Sequence, residues 1–203
     1  NAFSYYAVTE AEINGLACYI SRSGWTGERG FEIYSKDDDF NGEALWQYLL
    51  CEGAPFQLMA SDVTSMHIRR LEAGILDYGT DIDQSLNPFE LGLGQFVDLS
   101  KDDFIGRRAL LETDRRATRV MGLRSHEVRP IRGDCLMNEA GDSLGAITAG
   151  AWSPSLDCGI GIIRLDRPID PDVALRLRTE TGNFQAELCP LPFYDPQKRI
   201  PRL

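Results

Sequence analysis

Between Ser21 and Tyr34 the chain reads Ser-Arg-Ser-Gly-Trp-Thr-Gly-Glu-Arg-Gly-Phe-Glu-Ile-Tyr, a stretch whose residue types suit ligand binding. Gly24, Gly27 and Gly30 follow a Gly-x-x-Gly-x-x-Gly spacing and lead directly into a short apolar strand, Phe31 to Tyr34. Glycine tolerates positive φ and lets the backbone approach a ligand closely. Side chains alternate along a strand, so Glu32 and Tyr34 are predicted to share one face. A lone carboxylate beside an aromatic on a rigid strand, with Trp25 on the loop before it, suits a flat, nitrogen-rich heterocycle. The same residues also fit a glycine-rich β-turn with a solvated glutamate, because three glycines alone are a weak signal.

Other chemistries find less support. His67 and His126 lie far apart, and Cys18, Cys51, Cys135, Cys158 and Cys189 form no Cys-x-x-Cys pair, so neither a zinc site nor a disulfide framework is expected. That cysteine usage fits reduced thiols in a cytoplasmic protein. Asp77, Asp81 and Asp83 crowd one loop but lack the glycine and terminal glutamate of a calcium loop, which favours capping and turn roles. No run approaches the roughly 18 apolar residues of a membrane span. Residues 1–117 hold 20 acidic and 10 basic side chains, and residues 118–203 hold 11 of each, so the formal charge of −10 belongs to the first part. An acidic surface repels phosphate backbones, and no nucleic-acid partner is expected.

The elements that must position the Ser21–Tyr34 run are a sheet and helices. Phe3 to Thr9 and Leu16 to Ile20 are predicted to flank a hairpin turn at Asn14-Gly15. A helix is predicted over Asp39 to Leu50, a second capped by Ser61 or Asp62 and ending at Gly74, and a third capped by Asp102 or Asp103. Arg119–Leu123, Ser143–Ala149, Ile160–Arg164, Ala174–Thr179 and Asn183–Cys189 read as short strands of a small barrel or sandwich. The expected fold class is α+β: a partial α/β region over residues 1–117, then an antiparallel β-barrel over residues 118–203.

Several motifs then align with one family. Ser23 to Ile33 resembles the Gly-aromatic-Thr-Gly-Glu-x-Gly-x-Glu signature of the glycine cleavage T-protein family. Arg70-Leu-Glu-Ala-Gly74, Tyr78-Gly-Thr-Asp81, Asn87-Pro88, Glu90, Gly92, Leu93 and Asp103-Phe-Ile-Gly-Arg107 continue the resemblance, and Ala149 to Pro154 with Gly159 resembles its carboxyl-terminal barrel. The family comprises folate-dependent aminomethyltransferases and relatives that demethylate dimethylglycine, sarcosine or dimethylsulfoniopropionate. The resemblance implies tetrahydrofolate as cofactor, a small-molecule methyl or aminomethyl donor, Glu32 hydrogen-bonded to the pterin, and Trp25 and Tyr34 lining the pocket. It gives Arg70 and Glu72 a supporting role through ion pairs, and leaves the oligomeric state open.

Met66 to Gly79, Trp25, Asn87 to Glu90 and Cys189 to Phe193 are similar to dimethylsulfoniopropionate demethylases. Aminomethyltransferases usually place an arginine where Met66 stands, whereas demethylases usually lack Thr26-Gly27-Glu28. The substrate is open at this level. Family members are considerably longer, and the resemblance places the catalytic aspartate upstream of residue 1. The chain is therefore expected to be a carboxyl-terminal fragment of a one-carbon transferase, inactive alone. The alternatives are a non-catalytic folate-binding module, whose usual cysteine motif is absent, and the folate domain of a dimethylglycine- or sarcosine-type flavin dehydrogenase. No dinucleotide fingerprint occurs here, so any flavin part would lie upstream.

Overall fold

The computed structural model describes residues 3–115, 118–169 and 174–203. The expected boundary at residue 117 and the Asn1-Ala2 start lie outside them. The chain forms two compact units, residues 1–70 with 197–203, and residues 71–196.

The first unit carries a three-stranded antiparallel sheet in the order β1 (Val8–Ile13), β2 (Leu16–Ser21), β3 (Glu32–Ser35). Asn14 and Gly15 join β1 to β2 with φ of 48° and 77°, the pair of positive values that a two-residue I′ turn requires. Such a turn needs strands flush with it, and Ile13 pairs Leu16 directly. This corrects the expected first strand: Phe3 to Ala7 instead makes a turn closed by the Ala7 amide donating to the Ser4 carbonyl at 2.9 Å. Helix α1 (Gly42–Gly53) starts later than Asp39, because the Asn41 side chain accepts from the Ala44 amide at 3.0 Å and fixes the first turn there. Helix α2 (Val63–Glu72) is capped by Asp62, whose carboxylate accepts from the Ser65 amide at 2.8 Å. The chain leaves it through Gly74 at φ +61°.

In the second unit, α3 (Arg107–Leu111) also begins later than expected. Gly106, at φ +88°, precedes it with no side-chain cap, so neither Asp102 nor Asp103 starts the helix. The loop carboxylates act as turn locks. Asp77 accepts from the Thr80 hydroxyl at 2.8 Å, and the buried Asp81 accepts from the Asp77 amide at 2.9 Å and the Thr148 hydroxyl at 2.6 Å. Asp83 accepts from the Ser85 amide at 2.8 Å and pairs with Arg164 at 2.8 Å.

The rest of this unit is a closed antiparallel barrel. Its strands are β4 (Val120–Ser125), β5 (Cys135–Met137), β6 (Ser143–Ser153), β7 (Cys158–Leu165), β8 (Leu175–Thr179) and β9 (Gly182–Cys189), in the order β4-β7-β6-β5-β8-β9, with β9 returning to β4. Leu123, Leu136, Ile147, Ile163, Leu165 and Leu177 fill its interior. The three-residue β5 is too short to show alternation in sequence. Strand β6 runs past its expected end at Ala149 because Gly150 is part of the ladder: a Cβ there would lie 2.4 Å from the Pro130 carbonyl oxygen, and one on Gly159 2.0 Å from that of Val128. The glycines let the Val128–Pro130 segment lie against the strands. Among the described residues no helix is long and apolar enough to cross a membrane.

Candidate functional site

The Ser21–Tyr34 run leaves β2, turns through its glycines and returns as β3. Only Gly27 of the three has a positive φ, 69°. The segment entering the turn is pinned on its far side. Arg22 is buried, its guanidinium donates to the Phe3 carbonyl and, at 2.7 Å, to the Leu203 carbonyl, and its amide donates to the Ala7 carbonyl at 2.9 Å. With Arg22 turned one way, alternation turns Ser21 and Ser23 the other.

Ser21 is the cross-strand partner of Glu32. The hydroxyls of Ser21 and Ser23 are 2.7 Å apart, and the Ser23 hydroxyl donates to Glu32 Oε2. Tyr34 lies two residues along the same strand, and its pKa is raised by desolvation and then by the nearby charge of Glu32. The structure therefore brings Glu32 and Tyr34 together, as alternation requires, and adds Ser21 and Ser23. Trp25 stands on the turn, 40% exposed, with no hydrogen bond or ring contact to either of them among the described residues.

A second carboxylate on the turn is differently placed. Glu28 is ion-paired with Arg69 of α2, and both border a cleft of about 500 Å³ walled also by Thr26, Asp62, Val63 and Met66. Sequence reasoning missed Ser23 and the Glu28–Arg69 pair. The alternation of Ser21 and Ser23, two residues apart and facing a strand acid, was the available signal for the first. For the second, 41 positions apart, sequence carried none.

A carboxylate with part of its lone-pair capacity taken by a neutral hydroxyl, with the half-exposed Tyr34 two residues along the same strand, fits a planar ligand that presents paired N–H donors. These are also the residue types that an aminopyrimidine edge needs, so the chain's own side chains fit a pterin. The strand bearing them precedes a closed antiparallel barrel. That combination has counterparts among known proteins.

Two family models match in chain order: the GCVT N-terminal domain over residues 1–101, and the glycine cleavage T-protein C-terminal barrel domain over residues 118–195. The chain belongs to the glycine cleavage T-protein family. An aminomethyltransferase from Saccharopolyspora erythraea is 34% identical over 195 residues, 94% of this chain and 53% of the relative. One from Streptomyces avermitilis is 35% identical over 208 residues, 98% of this chain and 55% of the relative. The crystal structure of glycine cleavage system aminomethyltransferase T from Bartonella henselae matches with a TM-score of 0.74 at 27% identity, covering 88% of this chain and 50% of that one. The chain thus spans about half the length of the relatives it matches.

Proposed function

We propose that the chain is the carboxyl-terminal part of a tetrahydrofolate-dependent one-carbon transferase, and that Glu32, with Tyr34 and Trp25, receives the pterin. The observation that carries this reading is the Glu32 carboxylate, oriented by Ser23 at the start of β3. Tetrahydrofolate, when bound, supplies the nitrogen that accepts a one-carbon unit. The protein's task is to hold it against a small methyl or aminomethyl donor, and such positioning alone contributes a large share of a two-substrate rate. In this reading residues 1–117 are part of a folate-binding region, and the acid that handles the reacting carbon lies outside the chain. The chain by itself then turns over no donor.

The names of the relatives support an aminomethyl donor. A demethylase acting on a methylated amine or sulfonium compound is the second reading, and Met66 favours it: an apolar thioether, not a cation, occupies that position on the cleft wall.

Tetrahydrofolate titration of the complete protein by calorimetry tests the assignment. A hydrogen bond to a charged group contributes roughly 1.5–3 kcal/mol, so Glu32→Gln is expected to weaken binding about tenfold or more. Glu28→Gln serves as the control, with affinity nearly unchanged because Arg69 already occupies that carboxylate. Unchanged affinity in Glu32→Gln, with the fold intact, returns Glu32 to a solvated strand position.

A further inference from the structure

The Ser23 hydroxyl is half-buried, sits nine positions before its acceptor, and receives a second hydroxyl from Ser21 behind it. A hydroxyl has one proton to give. If Ser23 gives its proton to Glu32, then Ser21 must give its own to Ser23, so the two serines form a directed relay that ends on the carboxylate. The relay is anchored. Ser21 is held in the β2–β3 ladder opposite Glu32, and the Arg22 between the serines is fixed by its side chain and by backbone bonds in both directions: its amide donates to the Ala7 carbonyl and its carbonyl accepts from the Tyr6 amide at 3.0 Å.

We infer that Ser23 is a positioning residue for pterin recognition, an inference that rests on the reading of Glu32 given above. An ionised carboxylate offers about four acceptor sites. Ser23 occupies one, which leaves room for the two parallel N–H donors of an aminopyrimidine edge. Ser23 thus fixes the carboxylate plane relative to the ligand. Among the described residues no hydroxyl donates to the Glu28 carboxylate. It is paired with Arg69, so Ser23 acts on one acid of the turn and not on the other.

The test is tetrahydrofolate titration of the complete protein at neutral pH with Ser23→Ala, Ser23→Thr, Glu32→Gln and the Ser23→Ala/Glu32→Gln double variant. Ser23→Ala is expected to weaken binding at neutral pH about five- to tenfold. Ser23→Thr, which keeps the hydroxyl, restores binding. In the Glu32→Gln background, where no charge remains to be held, Ser23→Ala adds little. If Ser23→Ala binds normally while Glu32→Gln does not, the inference is wrong and the Glu32 reading stands. If Ser23→Ala weakens binding equally in both backgrounds, Ser23 is a general structural residue and the inference is again wrong. If Glu32→Gln binds normally, the reading of Glu32 fails and the inference goes with it.

Discussion

Glu72, at the last position of α2, is 1% exposed and anchors the turn between β6 and β7. One carboxylate oxygen accepts from the Ser153 hydroxyl and from the Ser155 amide at 3.3 Å, and the other from the Ser155 hydroxyl at 3.2 Å. The Glu72 carbonyl also accepts from the Tyr194 amide at 2.9 Å, a bond that side-chain substitution keeps. Replacement by alanine removes the acceptor of three donors, one of them the fully buried Ser153 hydroxyl. Hydrogen bonds to a charged group are worth about 1.5–3 kcal/mol, and a stranded buried donor costs about 1–3 kcal/mol. These overlap, because the same donors are counted in both, so Glu72→Ala is expected to cost about 3–4 kcal/mol. For a chain of this length that corresponds to a fall in Tm of about 6–16 °C. Glutamine retains one oxygen for Ser153 and the Ser155 amide, and its NH₂ meets a Ser155 hydroxyl able to turn and accept. For these three donors only charge assistance is lost, and Glu72→Gln is expected to cost about 1 kcal/mol through them. Thermal and urea unfolding followed by circular dichroism measures both. Equal losses for Ala and Gln would show that the charge, not the acceptor geometry, holds the turn. A neutral Glu72→Ala would refute the reasoning outright.

Two further outcomes follow from the barrel and the acidic loop. Gly159→Ala would place a Cβ 2.0 Å from the Val128 carbonyl oxygen and 2.7 Å from Pro130 Cδ, both in the chain's own backbone or ring, so it is expected to destabilise by about 1–3 kcal/mol or more, whereas Gly24→Ala, with open space at its Cβ, changes the unfolding midpoint little. The Asp83 carboxyl is held well below the usual carboxylate range by the Ser85 hydroxyl and then by the Arg164 guanidinium. A depressed folded-state pKa contributes stability that is present above the unfolded value of about 3.9 and lost as pH falls below it, so Asp83→Asn is expected to flatten the stability profile on the acid side of about pH 4. Parallel acid profiles for the two proteins would contradict this.

What the sequence disclosed follows the range of the interactions involved. The Asn14-Gly15 hairpin and the Asp62 cap are local, three or four residues deep, and residue types announced both. The first strand was displaced because the turn, not the apolar run, sets where β1 ends. The start of α1 moved because Asn41 competes with the aspartates before it and wins through its bond to Ala44. The Glu32–Tyr34 pairing needed only alternation. Ser23 was signalled only by its alternation with Ser21, since its bond to Glu32 depends on how the intervening turn closes. Strand β5 has three residues and no period to detect. Gly150 and Gly159 carried a signal, since glycine inside a strand marks close backbone approach, but the partner at Val128–Pro130 was visible only in the fold.

The two carboxylates of the turn differ in their partners, and that difference is why the binding role is proposed for one and not the other. In sequence, Glu28 and Glu32 are both acids of a glycine-rich stretch, four positions apart. In the structure their partners differ in kind. Arg69 offsets the charge of Glu28, and a carboxylate so paired has less reason to leave that contact for a neutral ligand. Ser23 orients Glu32 without cancelling its charge, because a hydroxyl donor is neutral. An oriented, uncompensated carboxylate gains most from paired N–H donors, since hydrogen bonds to an ionised acceptor are shorter and roughly twice as strong as neutral ones. The pairing of Glu28 also fixes the turn against α2 within the same unit, so the residue less suited to the ligand helps hold still the one that suits it.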